Sequence, residues 1–304
     1  MDISQTPRVG IIGLGAMGMG VARSLLRAGF AVHACDLREA AVQTIVEAGG
    51  VRAESPAALA RTVDTLIVLV VNAEQTESVL FGENGAAAQL APGSVVIASA
   101  TVSPEFARAL GRRLAGHGLL MIDGPVSGGA AKAAAGQMTI MAAGRPEAFA
   151  KCAAVLQAIA GKVYRLGDEV GAGSVVKMVN QLLAGVHIAA AGEAMALAIR
   201  AGADPEQVYE VICNSAGCSW MFQNRVPHIL AGDYTPLSAV NIFVKDLGIV
   251  LDYAKKSIFP LPLSATAHQM FMQASAAGYG AEDDSAVIKG FPGITLPAPR
   301  AANH

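Results

Sequence analysis

Short, wholly apolar runs alternate with segments of helical period through the first half of this chain. Arg8–Ile12 reads as a strand and Ala16–Ala28 as a helix, then Ala31–Cys35 and Glu39–Ala48 repeat the pair. Ser55-Pro56 opens a short helix with a cap and a proline at the first helical position. Thr65–Val71 has no polar alternation, which predicts a strand buried on both faces, as in a parallel sheet. Ser94–Ala98, Leu119–Ile122, Thr139–Ala142 and Val163–Leu166 read as further strands, with Pro104–His117 and Pro146–Ile159 as helices between them. The rhythm predicts a doubly wound α/β sheet.

That rhythm stops near Gly167. Beyond it only helical periodicity is found, at about 171–201, 204–215, 238–256 and 261–277, with a short helix from Asp283. An all-α second domain is expected, with the division at 168/169: Gly167, Gly171 and Gly173 permit a turn into the long helix there. Leu296–His304, rich in Pro and Ala, is expected to be poorly ordered.

Composition narrows the function classes. Of 304 residues, 53% are hydrophobic and 15% charged, so there is ample material for two cores. A net charge of −2, without a Lys/Arg run, argues against nucleic acid as a partner. Cys35, Cys152, Cys213 and Cys218 form no CxxC and no Cys/His ligand set, so no metal is expected, and reduced thiols in a cytoplasmic protein are the simplest account. Met1–Arg8 is polar and the apolar run after it breaks at Gly13, unlike a signal peptide. Leu182–Ile199 is the most membrane-like stretch, but it holds His187 and Glu193, and burial between subunits or domains is expected instead. His187 is expected to pack, and Glu193 to partner a buried polar group.

The chemistry begins at Gly13-Leu14-Gly15-Ala16-Met17-Gly18, which follows the first strand and opens the first helix. Gly13 permits the tight turn, Gly15 lets backbone approach a pyrophosphate, and Gly18 lets helix and sheet close up. The helix N-terminus then offers free N–H groups and a positive dipole to the phosphates. Asp36, at the end of the second strand, is placed to accept hydrogen bonds from ribose hydroxyls and to repel a 2′-phosphate, which favours NAD over NADP. Arg38 works the other way, being able to contact that phosphate. A Rossmann-type dinucleotide site is therefore expected.

Three further segments suit a dehydrogenase. Thr101, after the fourth strand of the sheet, is placed either to touch the nicotinamide end of the cofactor or to cap the helix at Pro104. Ser127-Gly128-Gly129 presents consecutive N–H groups and a hydroxyl, a concave donor set suited to a carboxylate. Lys177 and Asn180 lie one helical turn apart, so an ammonium and an amide face one point.

In order along the chain, GLGAMG (13–18), SAT (99–101), DGPVSGG (123–129), GSVVKMVN (173–180) and VKDLGIVLDYAK (244–255) resemble the β-hydroxyacid dehydrogenase family, which includes 3-hydroxyisobutyrate dehydrogenase and tartronate semialdehyde reductase. The resemblance spans about 8–289. It implies that Lys177 is the catalytic acid/base, that Ser127, Gly128 and Gly129 hold the substrate carboxylate, that Asn180 contacts substrate, and that Thr101 and Lys245 touch cofactor. It also implies a homo-oligomer. Two positions depart from the pattern: Ala100-Thr101 stands where Ser-Thr is common, and Asn180-Gln181 where Asn-Asn is common. The segments 238–255, 259–263 and 278–289 are similar to a branch of the family that oxidises a short sugar acid. Lys177 acts as base there only if it gives up its proton near neutral pH, for which burial and a neighbouring cation supply the push. Other small-acid dehydrogenases of the same architecture, imine reductases and a non-catalytic nucleotide sensor are the competing assignments. A lysine at 177 argues against the last two.

Overall fold

The computed structural model describes residues 8–299, so the polar N-terminal segment through Pro7 and the last residues of the tail, Arg300–His304, lie outside the described residues. The first half runs β1 (Arg8–Ile12), α1 (Ala16–Arg27), β2 (Ala31–Cys35), α2 (Glu39–Glu47), β3 (Val51–Arg52), α3 (Pro56–Ala60), β4 (Thr65–Val68), α4 (Ala73–Phe81), β5 (Val95–Ala98), α5 (Pro104–Gly116) and β6 (Leu120–Asp123). These six strands form one parallel sheet in the order β3-β2-β1-β4-β5-β6. The order reverses beside β1, which puts a crevice at the carboxyl ends of β1 and β4.

Both faces of the sheet are covered, as the unbroken apolar runs require. Along β5, Val95 and Ile97 enter one core layer, with α1, while Val96 and Ala98 enter the other, with α3 and α5. Strand β4 ends at Val68, earlier than the apolar run to Val71: Leu69 N–H still donates to the Ile12 carbonyl at 2.9 Å, and the backbone of Leu69 and Val70 then packs on Gly13.

The later strands correct one expectation. After β6 come β7 (Val126–Ser127), α6 (Gly129–Ala134), β8 (Met138–Ala142), α7 (Pro146–Ile159) and β9 (Ala160–Arg165). β8 and β9, expected to continue the parallel sheet, instead form a second sheet in the order β7-β8-β9, with β7 and β8 antiparallel. An isolated bridge from Asp123 to Ala143 links it to the end of β6.

The second half is helical: α8 (Ala172–Arg200), α9 (Pro205–Cys213), α10 (Trp220–Ala231), α11 (Val240–Lys256) and α12 (Pro262–Ala274), then a π turn at Ser275–Tyr279 and a 3-10 helix at Asp284–Gly290. Helix α10 has no counterpart in the periodicity. It carries Pro227 inside, and its inward position 225 is an arginine whose charge is met by buried Asp284 at 2.5 Å. Helix α4, also missed, is set by Asn72, whose Oδ1 accepts from Gln75 N–H at 2.8 Å.

By contacts the chain divides into two compact units within α8, after Lys177. By length and composition alone helix α8 is long and apolar enough to cross a membrane. Ile188 and Ala189 enter one core cluster with Phe243 and Phe271, and Met195 another with Phe222. Glu193, expected to partner a buried group, is exposed. At the C-terminus Leu296 joins the second of these clusters and 297–299 lie against Gly232, so this part of the tail is seated.

Candidate active site

The glycine turn after β1 is built as its spacing implies. Gly13 has φ +94°, and a Cβ on it would come 2.6 Å from the Leu69 carbonyl oxygen. A Cβ on Gly18 would come 1.9 Å from the Gly13 oxygen, so that position must be bare for α1 to start there. Gly15 differs: its Cβ would meet no protein atom within 4 Å. The space in front of Gly15 is therefore open at the N-terminus of α1, where a pyrophosphate needs backbone within reach. Leu14 is buried beneath the turn, Met17 is half-buried and Ala16 is exposed. Gly20 was not anticipated. It lets α6 lie on α1, since a Cβ there would come 2.6 Å from the Ala134 nitrogen.

Asp36 is tied to this turn. Its Oδ2 accepts from Leu14 N–H at 2.6 Å, and its Oδ1 from Arg38 N–H at 2.8 Å and Arg38 Nε at 3.1 Å. Burial pushes the carboxyl up, but the hydrogen bonds from Arg38 and Leu14 outweigh it and hold it below the usual carboxylate range. Asp36 thus stays anionic at the rim of the crevice with Arg38 bound to it. The residues fit a dinucleotide with a free 2′-hydroxyl.

Thr101 lies half-buried just past β5, between buried Ala100 and Val102. The cap of α5 belongs to Ser103, whose Oγ accepts from Phe106 N–H at 3.1 Å. The capping role considered for Thr101 is thus taken by another residue.

Lys177 and the Ser-Gly-Gly loop are brought together across a separation of fifty-one residues. Lys177 is 7% exposed, and its Nζ donates to the Val126 carbonyl at 2.9 Å, one residue before Ser127. Ser127 ends β7, held in register opposite Thr139. Gly128 and Gly129 follow with φ +129° and +74°, which turn successive N–H groups out of the strand line.

The start of α8 is anchored to the same loop by Asp123. Its carboxylate accepts from Gly171 N–H at 2.9 Å, Ser174 N–H at 2.8 Å and Ser174 Oγ at 2.7 Å. Burial raises its pKa, and these hydrogen bonds offset the rise only in part. A Cβ on Gly173 would lie 2.4 Å from the Met141 oxygen, so backbone meets backbone there.

The other two expected residues lie in the second unit. Asn180 Nδ2 donates to Gln181 Oε1 at 2.9 Å, and Lys245 Nζ donates to Asp246 Oδ1 at 2.5 Å. Gln181 Nε2 donates to Asp246 Oδ2, which joins the two pairs. Neither Gln181 nor Asp246 carried a role in the sequence, although Gln181 stood out as a departure and Asp246 adjoins the expected Lys245.

Comparison with known proteins bears on the whole chain. Residues 8–167 match a family model described as the NAD binding domain of 6-phosphogluconate dehydrogenase, and 171–291 one described as NAD-binding of NADP-dependent 3-hydroxyisobutyrate dehydrogenase. A Cupriavidus necator protein named L-threonate dehydrogenase is 70% identical over 95% of this chain and 97% of its own length. An Escherichia coli protein of the same name is 57% identical over 96% of this chain and 97% of its own. A crystal structure of a Salmonella typhimurium protein, named 3-hydroxyisobutyrate dehydrogenase, superposes with a TM-score of 0.90 at 54% identity, covering 94% of this chain and all of that one.

Proposed function

The chain belongs to the β-hydroxyacid dehydrogenase family and is an NAD-dependent hydroxyacid dehydrogenase, and from that premise we propose that its substrate is L-threonate, oxidised to 2-dehydro-L-erythronate. The 70% and 57% identities to proteins named for that substrate support it. So does the sugar-acid likeness of 238–255, 259–263 and 278–289.

The observation that carries the site is Lys177 Nζ on the Val126 carbonyl. It sets a buried amino group beside the donor loop Ser127-Gly128-Gly129, the group that would hold the substrate carboxylate. Gly13, Leu14, Gly15, Ala16, Met17 and Gly18 would hold the pyrophosphate, Asp36 the ribose, and Thr101 and Lys245 other parts of the cofactor. NAD held by these residues would supply the acceptor for the hydride from C2. The Lys177 side chain, as the neutral amine, takes the C2 hydroxyl proton as the C2–H bond breaks and becomes the ammonium, which in reduction returns that proton. Such general acid/base work contributes about 10²–10⁴-fold. Asn180, one helical turn on, would hold a hydroxyl that does not react, so that one C–H bond is presented.

The same reading extends to domain roles, assembly and compartment. Residues 1–168 form the cofactor-binding part and 169–304 the substrate and assembly part, the place of the division being supported by separate family matches over 8–167 and 171–291. The protein is a homo-oligomer, supported by Val176, Val179, Leu183 and Leu197, 38%, 50%, 50% and 69% exposed along α8. It acts in the cytoplasm, supported by four free cysteines.

The test is kcat/KM over L-threonate, tartronate, glycerate and 3-hydroxyisobutyrate, with the Lys177→Ala variant alongside and its NAD affinity measured separately. L-threonate is expected to lead by about tenfold or more. Lys177→Ala is expected to lose about 10²–10⁴-fold in kcat with NAD affinity kept. Turnover within a few-fold of the parent would remove Lys177 from the chemistry, and a different leading acid would replace the substrate.

A further inference from the structure

Four side chains of the second unit form one hydrogen-bonded row: Asn180 Nδ2 to Gln181 Oε1 at 2.9 Å, Gln181 Nε2 to Asp246 Oδ2 at 2.5 Å, and Lys245 Nζ to Asp246 Oδ1 at 2.5 Å. Gln181 is 8% exposed and Asp246 2%. The two ends of an amide have nearly the same shape, so which end points where is decided by its partners.

Here one end of the row has a fixed polarity. A carboxylate accepts at both oxygens, and the Lys245 ammonium already donates to the other one, Oδ1. The Gln181 group facing Asp246 must then be the NH₂. That turns Gln181 Oε1 toward Asn180, which answers with its own NH₂. Asn180 Oδ1 is the end turned away from the row. Polarity passes from the carboxylate through two amides, and the extra methylene of Gln over Asn is what lets position 181 span from Asn180 to Asp246.

We infer that Gln181 and Asp246 are positioning residues that present Asn180 as a hydrogen-bond acceptor, so that the site selects acids bearing a hydroxyl next to the reacting carbon. The inference rests on the proposed contact between Asn180 and substrate. The reacting hydroxyl gives its proton to Lys177, so the one that donates to Asn180 Oδ1 is its neighbour, at C3 of a four-carbon sugar acid. With the amide reversed, two donors would face each other there.

The experiment compares L-threonate with 2,4-dihydroxybutanoate, which lacks the C3 hydroxyl, at saturating NAD. Gln181→Met is expected to lower kcat/KM for L-threonate by about 10–100-fold, chiefly through KM, the loss of one well-made polar contact. The deoxy acid should change by less than about threefold. The Gln181→Glu, Asp246→Asn double variant exchanges the two groups. A carboxylate at 181 again accepts from Asn180 Nδ2 and now from the amide at 246, so L-threonate activity should return to within about threefold of the parent. Where Gln181→Met does not fold, Gln181→Asn takes its place, with the same substrate-dependent loss expected. Equal losses on both acids, or a double variant no better than Gln181→Met, would overturn the inference and leave the row a packing feature. An Asn180→Ala variant with L-threonate activity unchanged would instead overturn the Asn180 contact itself.

Discussion

The buried carboxylate of Asp123 accepts from both the backbone N–H and the hydroxyl of Ser174, at 2.8 and 2.7 Å, and so joins the end of β6 to the first turn of α8. Lys177 is three residues farther along that helix. The carboxylate meets N–H groups that the helix itself leaves without acceptors, and it lies at the positive end of the helix dipole.

Removing that acceptor should move the lysine. Asp123→Ala strands the Gly171 and Ser174 N–H groups in a buried place, at about 1–3 kcal/mol each, and should lower both Tm and kcat. Asp123→Asn should cost less than about 1 kcal/mol. Its oxygen can accept both N–H groups while its NH₂ donates to Ser174 Oγ, and no charge is buried. Thermal unfolding and steady-state kinetics of the two variants check this. Equal losses would show that charge, not hydrogen-bond satisfaction, holds the joint.

The glycines should separate by role. Gly15→Ala places its methyl in open space and should leave the unfolding free energy within about 1 kcal/mol of the parent, while NAD affinity falls about tenfold or more as the methyl meets the pyrophosphate. Gly173→Ala drives a methyl into two backbone oxygens and should cost about 1–3 kcal/mol. Calorimetry with and without NAD distinguishes the two effects.

Cofactor choice should turn on one carboxylate. Asp36→Ser removes the anion that repels a 2′-phosphate and releases Arg38 from its ion pair, so the NADP:NAD ratio of kcat/KM should rise at least about tenfold. Adding Arg38→Ala should reverse most of that gain. A ratio unmoved by the first change would shift the discrimination elsewhere.

Acid-range stability should carry the mark of Asp284. Burial, opposed in part by Arg225, pushes its carboxyl up to about 6. The unfolded chain titrates near 3.9, so folding takes up a proton between these values. This contribution is whole below about pH 4 and is lost as pH rises through about 6. Parent stability should therefore decline relative to Asp284→Asn between about pH 4 and 7 in urea titrations, and parallel profiles would refute the assignment.

The geometry of the candidate dinucleotide turn was legible before any fold was known. Gly13, Gly15, Gly18 and Asp36 stand at a spacing that a strand, a turn and a helix convert directly into neighbours, and Leu14 N–H does reach Asp36. The row from Asn180 to Lys245 was not legible. Its middle link joins residues sixty-five apart, and no local period relates them.

The sequence by itself determined the local elements and the dinucleotide turn. Backbone geometry repeats every two residues in a strand and every 3.6 in a helix, and side chains must follow that repeat to be buried. It failed at α4, where the inward positions include Thr76, and at α10, where they include Arg225 paired with Asp284. Only the tertiary structure decided that β7, β8 and β9 leave the parallel sheet, that Asp123 anchors α8, that Lys177 reaches Val126, and that Asp246 orients Gln181. Each of those pairs segments far apart in the chain. Such pairings follow from how buried surfaces fit and which buried polar groups find partners, and neither is written into any short window of residues.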